Sequence, residues 1–220
     1  MAIETAEEIN NEVKKIVQDA SFGLFDTISY INKALREISG FILLPKLLET
    51  ETTIDTVLDT AYASLPDNFQ RNLHYCYSNT TNRKIHIYKD VRLLYRQFSQ
   101  LDLGGQVHGV AVKGRSFYYQ RIPATVETLR VHYYKYPTVI TDETDQPDCL
   151  PEFLVRPLLV NYAAKEIYSL IYEGDIDGNK TTAMYEGKYV EAMAELNRYV
   201  GPEPREPQYV VDDLNLEGYL

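Results

Sequence analysis

Leu150-Pro151-Glu152-Phe153-Leu154-Val155-Arg156-Pro157-Leu158 marks the point where the chain changes character, and its reading decides the fold. Before it lie Tyr-rich runs in which apolar and polar residues alternate; after it, apolar residues recur at helical spacing. Pro151 stands where a first-turn proline is tolerated, because the amide it lacks would have no partner there. The spacing predicts a long helix to about Tyr172, with Phe153, Leu154, Leu158, Tyr162, Ile167 and Ile171 available for burial. Pro157 lies inside that helix and implies a slight kink or a later start. A last helix carries Met184, Tyr185, Tyr189, Met193 and Leu196 and is expected to stop near Gly201.

The other end of the chain is helical as well. In Thr5-Ala6-Glu7-Glu8, a capping-box pattern, Thr5 and Glu8 can satisfy each other's orphan amides. Ile9, Val13, Ile16, Val17 and Ala20 follow at helical spacing. A second helix is expected from about Phe25 to Ser39, with Ile28, Ile31, Leu35 and Ile38 on one stripe and Gly40 as its stop.

The middle reads as β. Thr50 to Leu65 is rich in Thr and β-branched residues, which favour extended structure. Asn79-Thr80-Thr81-Asn82 separates two alternating runs, Leu73 to Tyr77 and Ile85 to Tyr88, and predicts a hairpin. Asp90 can cap a short helix carrying Val91, Leu94, Tyr95 and Phe98, with Gly104-Gly105 as its end. Val107 to Val112 and Ser116 to Ile122 flank Lys113-Gly114-Arg115 as a second hairpin. Leu129, Val131 and Tyr133 then alternate with Arg130, His132 and Tyr134 in a final strand that stops at Pro137. An acidic loop, Thr138 to Cys149, leads back to the helices.

The expected fold is therefore α+β. Residues 1–47 and 150–200 form a helical bundle, residues 48–149 an inserted small antiparallel β domain, and residues 201–220 an extended C-terminal arm. The arm holds Pro202, Pro204 and Pro207 yet keeps Tyr209, Val210, Val211, Leu214, Leu216, Tyr219 and Leu220. Polar tails without a partner seldom carry so many large apolar groups, so these residues are expected to bind one.

Charge sharpens this picture. The 220 residues carry a formal net charge of −10, which argues against general binding to nucleic acid or anionic membranes. The distribution is uneven. Met1 to Thr60 has a net of −6, Arg83 to Arg121 a net of +6, and the last twenty residues a net of −4. Acidic ends around a basic middle would let identical copies meet. In that middle, Arg83, Lys84, Lys89, Arg92, Arg96, Lys113, Arg115 and Arg121 interleave with Tyr88, Tyr95, Phe98, Tyr118 and Tyr119. Such a surface can carry single strands by stacking and charge, or form a subunit contact rich in Tyr and Arg. In an acidic chain the subunit contact is the favoured reading, with Arg83, Arg92, Arg96, Arg115, Tyr118 and Arg121 as its residues.

No pattern of catalytic chemistry emerges, and the expectation is of no enzyme, no cofactor and no catalytic residue. Cys76 and Cys149 fit no metal or redox spacing and suit a reducing compartment. No basic region followed by an apolar run opens the chain, and Phe41 to Leu44 is too short to span a bilayer, so a soluble cytosolic product is expected. Asp175, Asp177, Asn179 and Glu186 fall at positions 1, 3, 5 and 12 of a calcium loop, but Lys180 replaces the glycine that its sharp turn requires. A polar helix–helix turn is the preferred reading there. His74 and His132 can approach across a sheet, with no acid or Cys at ligand spacing.

Three segments resemble the adaptor proteins of tailed bacteriophages, the head-to-tail connector rings that dock under the portal. Ala61-Tyr62-Ala63-Ser64-Leu65-Pro66-Asp67-Asn68-Phe69 is similar to a strand leading into that family's LPxxF motif. Val126 to Pro137, ending in Tyr133-Tyr134-Lys135-Tyr136-Pro137, resembles its last strand. Leu150-Pro151-Glu152 followed by Asn161-Tyr162-Ala163-Ala164 looks like its closing helical pair, and the N-terminal helices match in order. The resemblance implies a structural virion protein assembled in the host cytoplasm. It implies a homo-oligomeric ring, usually twelve subunits, between portal and tail or nozzle, with DNA passing unread through the lumen. It brings no catalytic residues.

Overall fold

The computed structural model describes residues 4–18, 21–98, 100–172 and 178–202. Helices α1 (Ala6–Val17), α2 (Leu24–Phe41), α4 (Glu152–Ile171) and α5 (Gly178–Val200) come from both ends of the chain. Between them lie nine strands and a short helix, α3 (Val91–Gln97). The strands are β1 (Leu48–Glu49), β2 (Thr53–Asp55), β3 (Tyr62–Ser64), β4 (Phe69–Ser78), β5 (Arg83–Lys84), β6 (His86–Tyr88), β7 (Gly109–Lys113), β8 (Ser116–Gln120) and β9 (Thr128–Lys135). The fold is α+β.

The capping box forms as expected: the Thr5 amide donates to Glu8 at 2.8 Å and the Glu8 amide to Thr5 Oγ1 at 3.3 Å. The next two orphan donors of α1, Ala6 and Glu7 N–H, reach the Asp145 and Glu143 carbonyls at 2.9 Å. Thus the acidic loop serves as a brace for the first helix. Ile9 and Val13 then bury against α2, whose Ile31, Leu35 and Ile38 face α4 residues Leu154, Leu158 and Tyr162 in one core. A buried Thr27–Asn10 hydrogen bond of 2.7 Å ties α1 to α2.

Four local expectations need correction. First, α2 does not stop at Gly40 but runs to Phe41, and Ile42 is already extended ahead of Pro45, a residue that cannot continue a helix. Second, Pro157 leaves α4 continuous from Glu152, though Phe153 and Ile171 are exposed rather than buried. Both fall beside the stripe formed by Leu154, Leu158 and Tyr162. Third, α3 ends at Gln97, well before Gly104, because its inward stripe of Val91, Leu94 and Phe98 is then exhausted. Fourth, the first hairpin is brief. β5 pairs with β4 for only two residues; the chain then crosses to the other sheet, where β6 runs parallel to β7. Ile85, fully buried between the sheets, is the residue at the crossing. The β insert is therefore mixed rather than wholly antiparallel.

One sheet has the order β1-β9-β4-β5, with β2 also on β9, and the other β3-β8-β7-β6. They share a core of Ile54, Cys76, Val110, Phe117, Tyr119, Leu129, Val131 and Tyr133. The second hairpin pairs as expected, Gly109 opposite Gln120 through Lys113 opposite Ser116. At the rim of this core Glu127 is 2% exposed. One carboxylate oxygen accepts from the Val107 amide at 2.9 Å and the other from the Ser78 hydroxyl at 3.1 Å. Its own amide donates to Thr56 at 2.8 Å, so one residue joins three segments.

The two cores meet where α2 ends. Arg71 on β4 donates to the Ser39 and Gly40 carbonyls, both at 2.7 Å, and Gln70 donates to Ser39 Oγ at 3.0 Å. Tyr134 of β9 and Ile140 beyond it bury in the helical core. The Asn32 side chain clamps Ile140 through both its amide and its carbonyl, at 2.9 and 2.8 Å.

Replacing Glu127 by Ala strands the Val107 amide, and by analogy with other buried unpaired donors should cost about 1–3 kcal/mol in denaturant unfolding. Glu127→Gln keeps an acceptor and should lose less; equal loss for both would refute the role given to those hydrogen bonds. Burial raises the Cys76 and Cys149 thiols from 9.0 to about 12. Above pH 9 the unfolded thiols release protons that the folded ones retain, so stability should fall as pH rises from 9 toward 12. Thiol titration of the native protein at neutral pH should label neither cysteine until denaturant is added.

Candidate functional site

The basic residues of the middle segment divide into two groups. Arg83 is engaged inside the subunit: its guanidinium donates to the Val107 carbonyl at 2.6 Å and lies 3.5 Å from His108 Nδ1. Arg115 is also committed, closing on Asp67 at 2.9 Å and so fastening the β7–β8 turn to the turn before β4. Arg121 is half-buried, its side chain lying against Gly105. These three groups build the insert.

Arg92 and Arg96 behave differently. They stand four residues apart on α3, hence on one helical face, and both are exposed. Lys89, just before the N-cap Asp90, is exposed too. Among the described residues none of the three forms an ion pair. Asp90, the acid beside them, accepts the Arg92 amide at 3.1 Å as the N-cap of α3. Leu93 sits among these cations with 44% of its surface exposed.

The seating of α3 explains why this face points outward. Val91 and Leu94 pack on Ala111 of β7, with Tyr88, Tyr95, Phe98 and Tyr118 around them. Tyr118 lies half-buried at the edge, its ring 5.9 Å from that of Tyr62. The close approach requires Gly109: a Cβ there would fall 2.5 Å from the Tyr88 ring and 3.1 Å from Leu94. The sequence signal for the exposed leucine was the pair Leu93-Leu94 in a seven-residue helix, where only one of two adjacent residues can turn inward.

The helical body has exposed apolar groups of its own. Phe153 and Tyr199 stack edge to face at 5.5 Å across the α4–α5 pair, both largely solvent-exposed. Phe25, at the start of α2, is 84% exposed beside a cavity of about 360 Å³ lined by Leu24, Ile28 and Thr141 to Thr144. Inside the same body Glu37 accepts both the Tyr162 and Tyr189 hydroxyls, at 3.1 and 3.2 Å. Burial, then the negative charges around them, push both phenols above their ordinary range, so they act as fixed donors.

Other candidate chemistry is structural. His132 pairs opposite Tyr75 and stacks on it at 4.7 Å; His74 meets Tyr134 edge-on at 5.1 Å. Burial, then Arg130, lowers the His132 pKa, which favours its neutral form. Among the described residues no three His, Cys, Asp or Glu groups gather as metal ligands. The calcium-loop reading fails on geometry: α5 already begins at Gly178, so residues 178–186 are helical and cannot wrap an ion. Asp175 and Asp177 lie outside the described residues, as do arm residues Tyr209, Val210, Val211, Leu214, Leu216, Tyr219 and Leu220. Among the described residues no helix is long and apolar enough to cross a membrane.

What the surface offers is exposed apolar and cationic area for partners. No curated protein matches the chain. The family model described as SU10 adaptor protein matches residues 4–209, and with helices at both ends around a β insert the chain belongs to this family of phage head-to-tail adaptors, a structural component of the virion.

Proposed function

We propose that this protein is a subunit of the connector ring between portal and tail, and that it works by gripping neighbours rather than by catalysis. The observation that carries this reading is the family match over residues 4–209. Under it, identical copies, usually twelve, close into a ring beneath the portal, the tail or nozzle binds on the other side, and DNA passes through the lumen without being read. The acidic balance of −10 supports the last point, since an acidic lumen would not retain phosphates.

Two surfaces are assigned to assembly. One is the exposed part of the basic middle, Arg92 and Arg96 with Tyr118 at its edge, as a contact between subunits. Arg83, Arg115 and Arg121 support it from within. The other is the C-terminal arm, Gly201 to Leu220, which clasps the portal or an adjacent copy. Helix α5 ends cleanly before the arm begins: Gly201 takes φ +80 and its amide caps Asn197 at 3.0 Å.

A chain stopped after Pro202 should melt within about 0.5 kcal/mol of the full chain, the range of changes that remove no core contact. It should fail to join purified portal in native mass spectrometry. Normal joining by the truncated chain would refute the arm assignment.

A further inference from the structure

Among the described residues the cationic face of α3 has no acidic counterpart on its own subunit. Lys89, Arg92 and Arg96 are exposed around Leu93, and no ion pair neutralises them among the described residues. Asp90 is the acidic side chain next to them, and it is used at the N-cap. Desolvated cations need anions, and an exposed leucine needs apolar cover, so the fitting partner is an acidic segment carrying large apolar side chains.

The chain itself contains such a segment. Gly201 to Leu220 has five acids against one Arg, and it places Asp212 and Asp213 between Val211 and Leu214, with Glu217 after Leu216. From the end of α5, twenty further residues reach at most about 70 Å when extended. The segment follows α5 of the helical bundle, whereas α3 packs on β6, β7 and β8 of the insert. In a ring, the α3 face of the next copy is presented to this segment at high effective concentration.

We propose that the acidic C-terminal segment of one copy docks on the Lys89–Arg92–Leu93–Arg96 face of the neighbouring copy. The acids pair with the three cations, and the flanking leucines and valines cover Leu93 and the rim of Tyr95 and Tyr118. This rests on the ring reading above and selects, for the arm, the adjacent copy over the portal. The contact is heterologous, one patch meeting a different patch, as a closed ring requires.

The test uses the full chain, mixed as light and ¹⁵N-labelled copies and assembled with portal. Zero-length coupling of amines to carboxylates should join Lys89 to Asp212, Asp213 or Glu217 between a light and a heavy copy. Arg92→Glu with Arg96→Glu should lower assembly about tenfold or more, the scale of lost charge pairs at an interface, without changing the melting temperature. Adding Asp212→Lys and Asp213→Lys to that variant should restore assembly. Couplings confined to one isotope, couplings from the arm to portal alone, or assembly indifferent to the reversals would each overturn the proposal. So would phosphate recognition, seen as salt-dependent DNA binding that the Arg reversals abolish while assembly persists. If the unaltered chain stays monomeric with portal present, the ring reading fails and this contact fails with it; if it assembles but ignores the reversals, only this contact fails.

Discussion

The end of one helix sets the relation between the two halves of this protein. The last carbonyls of α2 have no partners within the helix, and the Arg71 guanidinium, reaching from β4, takes two of them at 2.7 Å. Each such charge-assisted bond contributes about 1.5–3 kcal/mol, and the negative helix terminus adds to the attraction. Arg71 therefore does for α2 what a capping residue would do, from a strand. Tyr134 and Ile140, carried into the helical core by the end of β9 and the segment after it, complete the joint. Because the joint is polar on one side and apolar on the other, the insert has a defined pose on the bundle, and the α3 face is held at a fixed position for a partner.

Much of this was legible in the sequence, for reasons that belong to particular residues. The Thr5–Glu8 capping box, the Asp90 cap and the Lys113–Ser116 turn are local devices whose partners lie within a few positions. The β5–β6 crossing was not legible, because Ile85 and Ile87 alternate as an ordinary hairpin arm would. What diverts them is the second sheet, a long-range fact. The overrun of α2 through Gly40 has a similar origin, since a glycine ends a helix only where the chain gains by turning.

The candidate surface was legible in composition but not in detail. The charge excess between Arg83 and Arg121 identified a basic region, yet the sequence cannot tell a guanidinium spent inside the fold from one left for a partner. Arg83 is spent on the Val107 carbonyl and Arg115 on Asp67, whereas Arg92 and Arg96 are exposed and form no ion pair among the described residues. Likewise Phe153 fits a helical stripe on paper, but Leu154 and Leu158 define a stripe that leaves it outside with Tyr199. Under the proposed function those leftover groups have a purpose, because an adaptor must keep adhesive surface in reserve until its neighbours arrive.

In the proposed function this polypeptide is a fitting whose binding energy goes to adjoining virion parts. The most direct measurement is an electron cryo-microscopy reconstruction of the full chain mixed with its purified portal. The account predicts a closed ring of copies seated on the portal, with the α3 face of each β insert covered. A portal seen bare, with the chain left in solution as single copies, would contradict it.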